Sequence, residues 1–140
     1  HDLATAVQQV DEQMSPWKPD SDLVRLNRAP TDSWVDLPAQ MLEVLGNAFD
    51  IHRQSAGAFD PCVGALVDAW GFGAARDTPE AEAIKTARCA EPFAMGQSLE
   101  LDRASGRARK RAPLQLDLCG IAKGYAVDRM AAVLQLHGVR

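Results

Sequence analysis

The sequence predicts an α+β domain in which helices pack on an antiparallel sheet. Segments with helical spacing of apolar residues outnumber segments with alternating spacing. The strand-like segments follow one another between residues 99 and 118 instead of alternating with helices, which favours α+β over repeated βαβ units. A chain of 140 residues with 46% hydrophobic residues is long enough for one such domain with a buried core.

Two helices are predicted before residue 30. Apolar residues recur at helical spacing over residues 3–14, and Ser15-Pro16 ends that helix. Ser21 or Asp20 is suited to cap a short helical turn over residues 23–27, because both side chains accept hydrogen bonds from free N–H groups.

A longer helix is predicted after a loop over residues 30–36. Pro38 suits its first position, Gly57 suits the turn that closes it, and the last helical residue is expected near Ser55. Its inward side comprises Met41, Leu42, Leu45, Phe49 and His52.

Two shorter helices are predicted next. Pro61 is expected to begin the first, with Asp60 as its capping residue, and Gly71 and Gly73 to end it. The second is predicted over residues 79–89. The inward residues of the first are expected to be Val63, Leu66, Val67 and Trp70.

The last third of the chain predicts the sheet. Residues 99–102 and 107–111 flank a Ser-Gly turn and indicate a β-hairpin. The alternating Leu114, Leu116 and Leu118 predict a third strand, and residues 121–137 predict the helix that follows it.

Composition disfavours several classes of protein. The chain has 15 basic and 19 acidic residues, and its one basic run, over residues 103–111, is typical of a solvated hairpin face, so nucleic-acid binding is disfavoured. No CxxC exists among Cys62, Cys89 and Cys119, which leaves a zinc site or thiol redox pair without support. No apolar run approaches the length of a membrane-spanning helix. The start at His1 is consistent with a trimmed start or signal segment.

The segment over residues 117–128 is the strongest candidate for chemistry. A glycine-containing turn that leads into a helix presents backbone N–H groups at the positive helix end, and Lys123 lies beside them, which suits a phosphate or pyrophosphate. The Ala122 carbonyl could face a metal such as Mg²⁺. The alternative interpretation is an ordinary strand-to-helix connection with a solvated Lys123.

Two further loops carry candidate binding residues. Trp17 lies between two prolines with charged neighbours, where a planar ligand could stack on its indole; alternatively, it covers the end of the first helix. The turn over residues 57–64, which is rich in small residues, could offer backbone groups to a heterocycle, with capping by Asp60 as the alternative.

Other motifs are set aside. Residues 71–76 read GxGxxR, lack the third glycine of a dinucleotide fingerprint, and follow a predicted helix. His52 is interpreted as a core residue with a satisfied hydrogen bond. His1 and His137 have no partner that the sequence identifies.

Three stretches together resemble the FAD:protein FMN transferase family, also called the ApbE family. They are MSPWKPDSDLVRLN (residues 14–27), GAFDPCVGALVDAWGFG (57–73) and LDLCGIAKGYAVDRMAAVLQLHGV (116–139), in the family's order and spacing. The resemblance covers essentially the whole chain and implies a flavin transferase that takes the FMN moiety from FAD, with Mg²⁺, to a Ser or Thr hydroxyl and releases AMP. It also implies targets in membrane redox complexes and a periplasmic lipoprotein anchored through a missing N-terminal signal.

The resemblance assigns roles to particular residues. Trp17 would lie against a ring of FAD, and Ala58, Phe59 and Asp60 would contact FAD as well. Cys119 would be a contact position, and the Ala122 carbonyl a metal ligand. Residues lining the same site would be Lys123 and Tyr125.

The chain also departs from the family. Trp17 stands where Tyr is usual, Cys62 where Thr is usual, and Cys119 where Gly or Ser is common. The family continues past Val139 with a half that carries a histidine motif and an Asp/Thr motif, so residues 1–140 are interpreted as the N-terminal part of one domain, inactive alone, with the catalytic residues beyond Arg140. The alternatives are a flavin-binding module for FAD storage or hydrolysis, and a non-catalytic interaction domain.

Overall fold

The computed structural model describes residues 2–89 and 95–139. Within these ranges seven helices accompany one small antiparallel sheet, which confirms the α+β prediction. In chain order the elements are α1 (Asp2–Met14), α2 (Asp22–Arg28), β1 (Val35–Asp36), α3 (Ala39–Gln54), α4 (Gly64–Ala69), α5 (Ala81–Cys89), α6 (Met95–Ser98), β2 (Leu99–Asp102), β3 (Arg107–Lys110) and α7 (Cys119–Leu136).

The first three helices form where the sequence predicts them. Ser21 is the N-cap of α2, and its hydroxyl accepts from the Val24 N–H at 3.1 Å. Pro38 is the N-cap of α3 rather than its first residue, a shift of one position. Gly57 follows α3 with φ +83° and donates its N–H to the His52 carbonyl at 2.9 Å, which closes the helix as expected.

The sheet has the strand order β1-β3-β2, and both pairs are antiparallel. The predicted hairpin is confirmed, with Leu101 and Val35 paired on either side of Ala108. The Arg107 and Arg109 guanidinium groups lie 4.5 and 4.4 Å from the centre of the Trp34 ring. Arg107 also pairs with Asp102, and Arg109 and Arg111 with Glu100, so the basic run is largely neutralised by acidic neighbours.

The third strand of the sheet is β1, not the segment with alternating leucines. The prediction of a strand at Leu114, Leu116 and Leu118 was therefore wrong. The loop predicted over residues 30–36 was wrong in part, because its last two residues form β1. Leu114, Leu116 and Leu118 are buried as their alternation indicates. No strand lies beside them in the described ranges, however. Their segment instead bonds to a turn on one edge, where Gly64 N–H meets the Gln115 carbonyl at 3.0 Å, and to a side chain on the other.

The helix predicted from Pro61 begins three residues later, at Gly64. The Asp60 carboxylate caps a turn instead of the helix, because it accepts from the Cys62 N–H at 2.9 Å. Trp70 was predicted to point inward but is 45% exposed. Ala69 takes the buried position instead. Trp70 is one residue later, so its side chain points about 100° away from that of Ala69 around the helix.

The core gathers buried residues of α1, α2, α3 and α7, of the sheet and of the segment over residues 114–118. Its largest fully buried side chains include Met14, Leu23, Leu26, Met41, Leu45, Met95, Leu116 and Leu118. His137 has a partner that the sequence did not reveal, since its Nε2 lies 2.9 Å from the Asp2 carboxylate at the other end of the chain. Across the described ranges, no helix combines the length and the apolar character needed to cross a bilayer.

Candidate functional site

A cavity of about 310 Å³ lies between α1, with the loop that follows it, and the first half of α7. Residues of α7 at spacings of three and four face it, because such residues share one side of a helix. The lining from α7 consists of Cys119, Ala122, Lys123 and Ala126. The opposite wall consists of Val7, Val10, Asp11, Met14, Ser15, Pro16 and Trp17.

Trp17 lies at the mouth of this cavity. Pro16 and Pro19 flank its loop, and the Trp17 N–H donates to the Ser15 hydroxyl at 3.2 Å, which fixes a tight turn after α1. The indole is 62% exposed, so it does not serve as core packing. An exposed indole beside a largely apolar cavity is suited to stack on a planar ring.

Lys123 provides a positive charge on the other wall. Its side chain is exposed and forms no ion pair with any described residue. Lys18, beside Trp17, is instead held by Asp11 at 2.6 Å. Lys123 is therefore the cation on the cavity wall that is free to meet an anionic group.

The start of α7 offers fewer free N–H groups than the sequence suggests. The Asp117 carboxylate accepts from the Cys119 N–H at 2.8 Å, and Ile121 and Ala122 donate to the Leu118 carbonyl. Among the described residues only the Gly120 N–H of this first turn has no acceptor. A phosphate would thus meet one backbone donor and Lys123, not a full cradle of N–H groups.

Cys119 is exposed at the start of α7, yet its thiol is a poor acid. Desolvation by the surrounding protein raises its pKa to about 11, and the Asp117 carboxylate adds to the shift while Lys123 opposes it. At neutral pH the side chain is therefore a neutral thiol at the edge of the cavity.

The turn at Ala58, Phe59 and Asp60 lies against the first turn of α7 but does not line the cavity. The Phe59 ring comes within 3.2 Å of the point that a Cβ of Gly120 would occupy, so only glycine permits this approach without a shift. The Phe59 carbonyl lies 2.8 Å from His52 Nδ1, which gives that histidine the satisfied hydrogen bond that was predicted.

Tyr125 faces the other side of α7. Its hydroxyl donates to Glu43 Oε2 of α3 at 2.8 Å, and it lines a separate groove with Gly120, Gly124 and Asp128. Burial raises the Tyr125 pKa to about 12, with the Glu43 carboxylate as a second cause. The structure does not place Tyr125 with Lys123 in the cavity, and a spacing of two residues on a helix already indicates opposite sides.

Four of the eight residues assigned from the sequence line one cavity, namely Trp17, Cys119, Ala122 and Lys123. The sequence reasoning missed the α1 wall. Val7 contributes to the helical spacing of apolar residues in α1, but it is 40% exposed and lines the cavity. No simple pattern marks it, because Val7 belongs to the same apolar stripe as the buried Val10.

The described residues do not form a metal site by themselves. No three His, Cys, Asp or Glu side chains within residues 2–89 and 95–139 lie close enough to hold an ion. The Ala122 carbonyl lies within α7, where a regular helix already uses it to accept from the N–H four residues on. It could contribute at most one further lone pair to a cation.

Comparison with known proteins identifies close relatives of this chain. The sequence model of the ApbE family matches residues 1–140. The chain is 33% identical over 135 residues to the FAD:protein FMN transferase of Klebsiella pneumoniae (strain 342), covering 92% of this chain and 38% of that protein. It is 34% identical over 121 residues to the FAD:protein FMN transferase of Chlamydia pneumoniae, covering 85% and 38% respectively.

Solved structures show the same fold. The apo form of the flavinyl transferase ApbE of Pseudomonas stutzeri superposes with a TM-score of 0.85 at 34% identity, over 99% of this chain and 46% of that one. The flavin transferase ApbE of Vibrio cholerae superposes with a TM-score of 0.82 at 31% identity, over 98% and 45%. The 140 residues thus span less than half the length of these relatives, and the chain belongs to the ApbE family.

Proposed function

We propose that the polypeptide carrying these residues is an FAD:protein FMN transferase. A Ser or Thr hydroxyl oxygen of a target protein forms a bond to the phosphorus of the FMN half of FAD. The bond from that phosphorus to the pyrophosphate bridging oxygen breaks, AMP leaves, and the hydroxyl proton passes to a base outside these 140 residues. Phosphoryl transfer of this kind depends mainly on positioning and charge neutralisation.

One observation carries the proposal. Trp17 and Lys123 line the same cavity in a chain of the ApbE family. FAD joins planar rings to a pyrophosphate, so one ligand can stack on the indole and pair with the ammonium group. A volume of about 310 Å³ suits one end of FAD rather than the whole molecule, which fits a chain that spans less than half of its relatives.

The proposal includes Mg²⁺ as a required ion. These 140 residues would supply at most the Ala122 carbonyl, and further ligands would come from the phosphates, water and the rest of the family's length. The short chain alone should therefore be inactive. We also propose protein targets in membrane redox complexes and a periplasmic location with a lipid anchor, as the resemblance implies.

The test uses the natural polypeptide that carries these residues, together with FAD, Mg²⁺ and a target peptide containing one Ser or Thr. The expected result is a mass increase of one FMN moiety on the peptide and release of AMP. A peptide with Ala in place of the acceptor residue is the control. Absence of FAD binding by the natural polypeptide would overturn the proposal, and FAD binding with hydrolysis but no transfer would favour a flavin-binding or hydrolytic role.

Addition of EDTA tests the metal requirement separately. Transfer should stop when the ion is removed and return with excess Mg²⁺. Flavin transfer at a normal rate by residues 1–140 alone would contradict the expectation that the catalytic residues lie outside this chain.

A further inference from the structure

Helix α2 packs against α1 and is hydrogen-bonded to the segment that leads into α7, although no residue of α2 lines the cavity. Its first end is tied to the Trp17 loop through Ser21. The Ser21 hydroxyl donates to the Ser15 carbonyl at 2.7 Å while accepting from Val24, and the Ser21 N–H donates to the Lys18 carbonyl at 3.1 Å. Ser21 is only 1% exposed, so these bonds are shielded from water.

The other end of α2 is tied to the segment that leads into α7. Asn27 Oδ1 accepts from the Leu116 N–H at 2.8 Å, and Asn27 Nδ2 donates to the Leu116 carbonyl at 2.9 Å. The Asn27 side-chain amide thus satisfies the Leu116 backbone groups that a neighbouring strand would satisfy in a sheet. Leu116 is 2% exposed, so its main-chain groups have no ready access to water as an alternative partner.

A third contact fixes Asn27 itself. The Lys110 ammonium group, on a side chain that is almost fully buried, donates to the Asn27 carbonyl at 2.5 Å. This carbonyl belongs to the last turn of α2, where helix carbonyls lack intrahelical partners and a cation is favourable. The hairpin therefore holds α2 in place, and α2 holds Leu116, three residues before Cys119.

We propose that α2 is a brace that sets the separation between Trp17 and the start of α7, with Asn27 as a positioning residue for the flavin nucleotide. The inference rests on the proposed function, since it assumes that FAD occupies the cavity. Asn27 does not line the cavity between α1 and α7. Its effect passes through Leu116 to the α7 wall that carries Cys119 and Lys123.

The test compares two Asn27 variants with two control variants in the natural polypeptide. Asn27→Ala removes both bonds to Leu116, whereas Asn27→Asp retains the shape and the acceptor but loses the donor. Leu99→Val, in the core away from the cavity, is the control for a general loss of stability. Asn47→Ala, at an exposed amide of α3, is the control for loss of an asparagine.

FAD affinity and the flavin fluorescence of the saturated complex are measured below the unfolding midpoint of every variant. We expect Asn27→Ala to weaken FAD binding on the order of tenfold, and Asn27→Asp to have a smaller effect. At saturating FAD the Asn27→Ala complex should also retain more flavin fluorescence than the unaltered complex. The reason is that a displaced α7 wall would no longer hold the flavin ring against Trp17, whose indole quenches it. Leu99→Val should lower the unfolding midpoint but leave both readouts unchanged.

The outcomes are separable. If the unaltered protein does not bind FAD, the proposed function fails. If the unaltered protein binds FAD and both Asn27 variants show the same FAD affinity and flavin fluorescence as it does, the brace is wrong and the proposed function is unaffected. If Asn27→Ala does not fold, Asn27→Asp decides between these results. A loss of FAD affinity in Leu99→Val as large as that in the Asn27 variants would also overturn the brace.

Discussion

Trp17 and Lys123 line opposite walls of one cavity, although Trp17 lies in the loop after α1 and Lys123 lies in α7, near the other end of the chain. Trp17 is available because its indole is mostly exposed, and Lys123 because no described carboxylate pairs with it. Together they combine a stacking surface with a positive charge, the two features that the proposed flavin nucleotide would use.

Removal of the indole should weaken FAD binding without unfolding the protein. Loss of ring stacking in Trp17→Ala is expected to lower affinity by about 1–3 kcal/mol, or roughly 5- to 150-fold. The free energy of unfolding should change by less than about 0.5 kcal/mol, because the side chain is mostly exposed. Fluorescence titration with FAD measures the effect, and Trp70→Ala, an exposed indole outside the cavity, should bind normally.

Loss of the Lys123 charge should weaken FAD binding in a salt-dependent way. Lys123→Gln is expected to bind less tightly at low ionic strength and to differ less from the unaltered protein at high ionic strength, because salt screens the attraction. Lys123→Arg should retain most of the affinity. Lys85→Gln, on the exposed side of α5, is the control. Equal effects of the Lys85 and Lys123 substitutions would show that only net charge matters.

Cys119 should be slow to alkylate although it is exposed. With a pKa of about 11, only a small fraction is thiolate at pH 8, and the rate with iodoacetamide should rise about tenfold per pH unit until the pKa is approached. Lys123→Gln should slow the reaction further, because Lys123 lowers this pKa. Mass spectrometry of the modified peptide gives the rate. FAD should protect Cys119 but not the exposed Cys89 of α5.

Tyr125 should make stability fall at alkaline pH. Its pKa is about 12 in the folded state and about 10 when unfolded, so the folded state holds the proton more tightly. This contribution is complete below pH 10 and is lost as the pH rises through 12. Urea unfolding should therefore show a shallower loss of stability above pH 10 in Tyr125→Phe. Unaltered FAD affinity in the same variant would confirm that Tyr125 acts outside the cavity, whereas a large loss would support the assignment from resemblance.

Two glycines should respond oppositely to alanine. A Cβ at Gly64 would lie 2.7 Å from the Gln115 carbonyl oxygen, so Gly64→Ala should destabilise the fold by about 1–3 kcal/mol. At Gly124 no described atom lies within 4 Å of a Cβ, and alanine should stabilise α7 by about 0.5–1 kcal/mol. Denaturant unfolding distinguishes them, and similar effects of both substitutions would contradict the close approach at Gly64.

Several elements were predictable because their signals are local. The periodicity of α1, the Ser21 cap and the Ser-Gly turn of the hairpin act between residues that are near in sequence. β1 was not predictable, since a pair of residues carries no periodicity. The alternation of Leu114, Leu116 and Leu118 indicated burial correctly but not the partner, which is a turn and one amide side chain.

The sequence by itself determined the fold class, most helices and the three family stretches, because these depend on spacing along the chain. Only the tertiary structure decided which candidate residues meet. It brought Trp17 to the α7 face that carries Lys123, and it turned Tyr125 to Glu43 instead. The physical reason is that these contacts join groups that are distant in sequence, through packing of α1 against α7 and through hydrogen bonds at both ends of α2. No local sequence pattern encodes contacts of that kind.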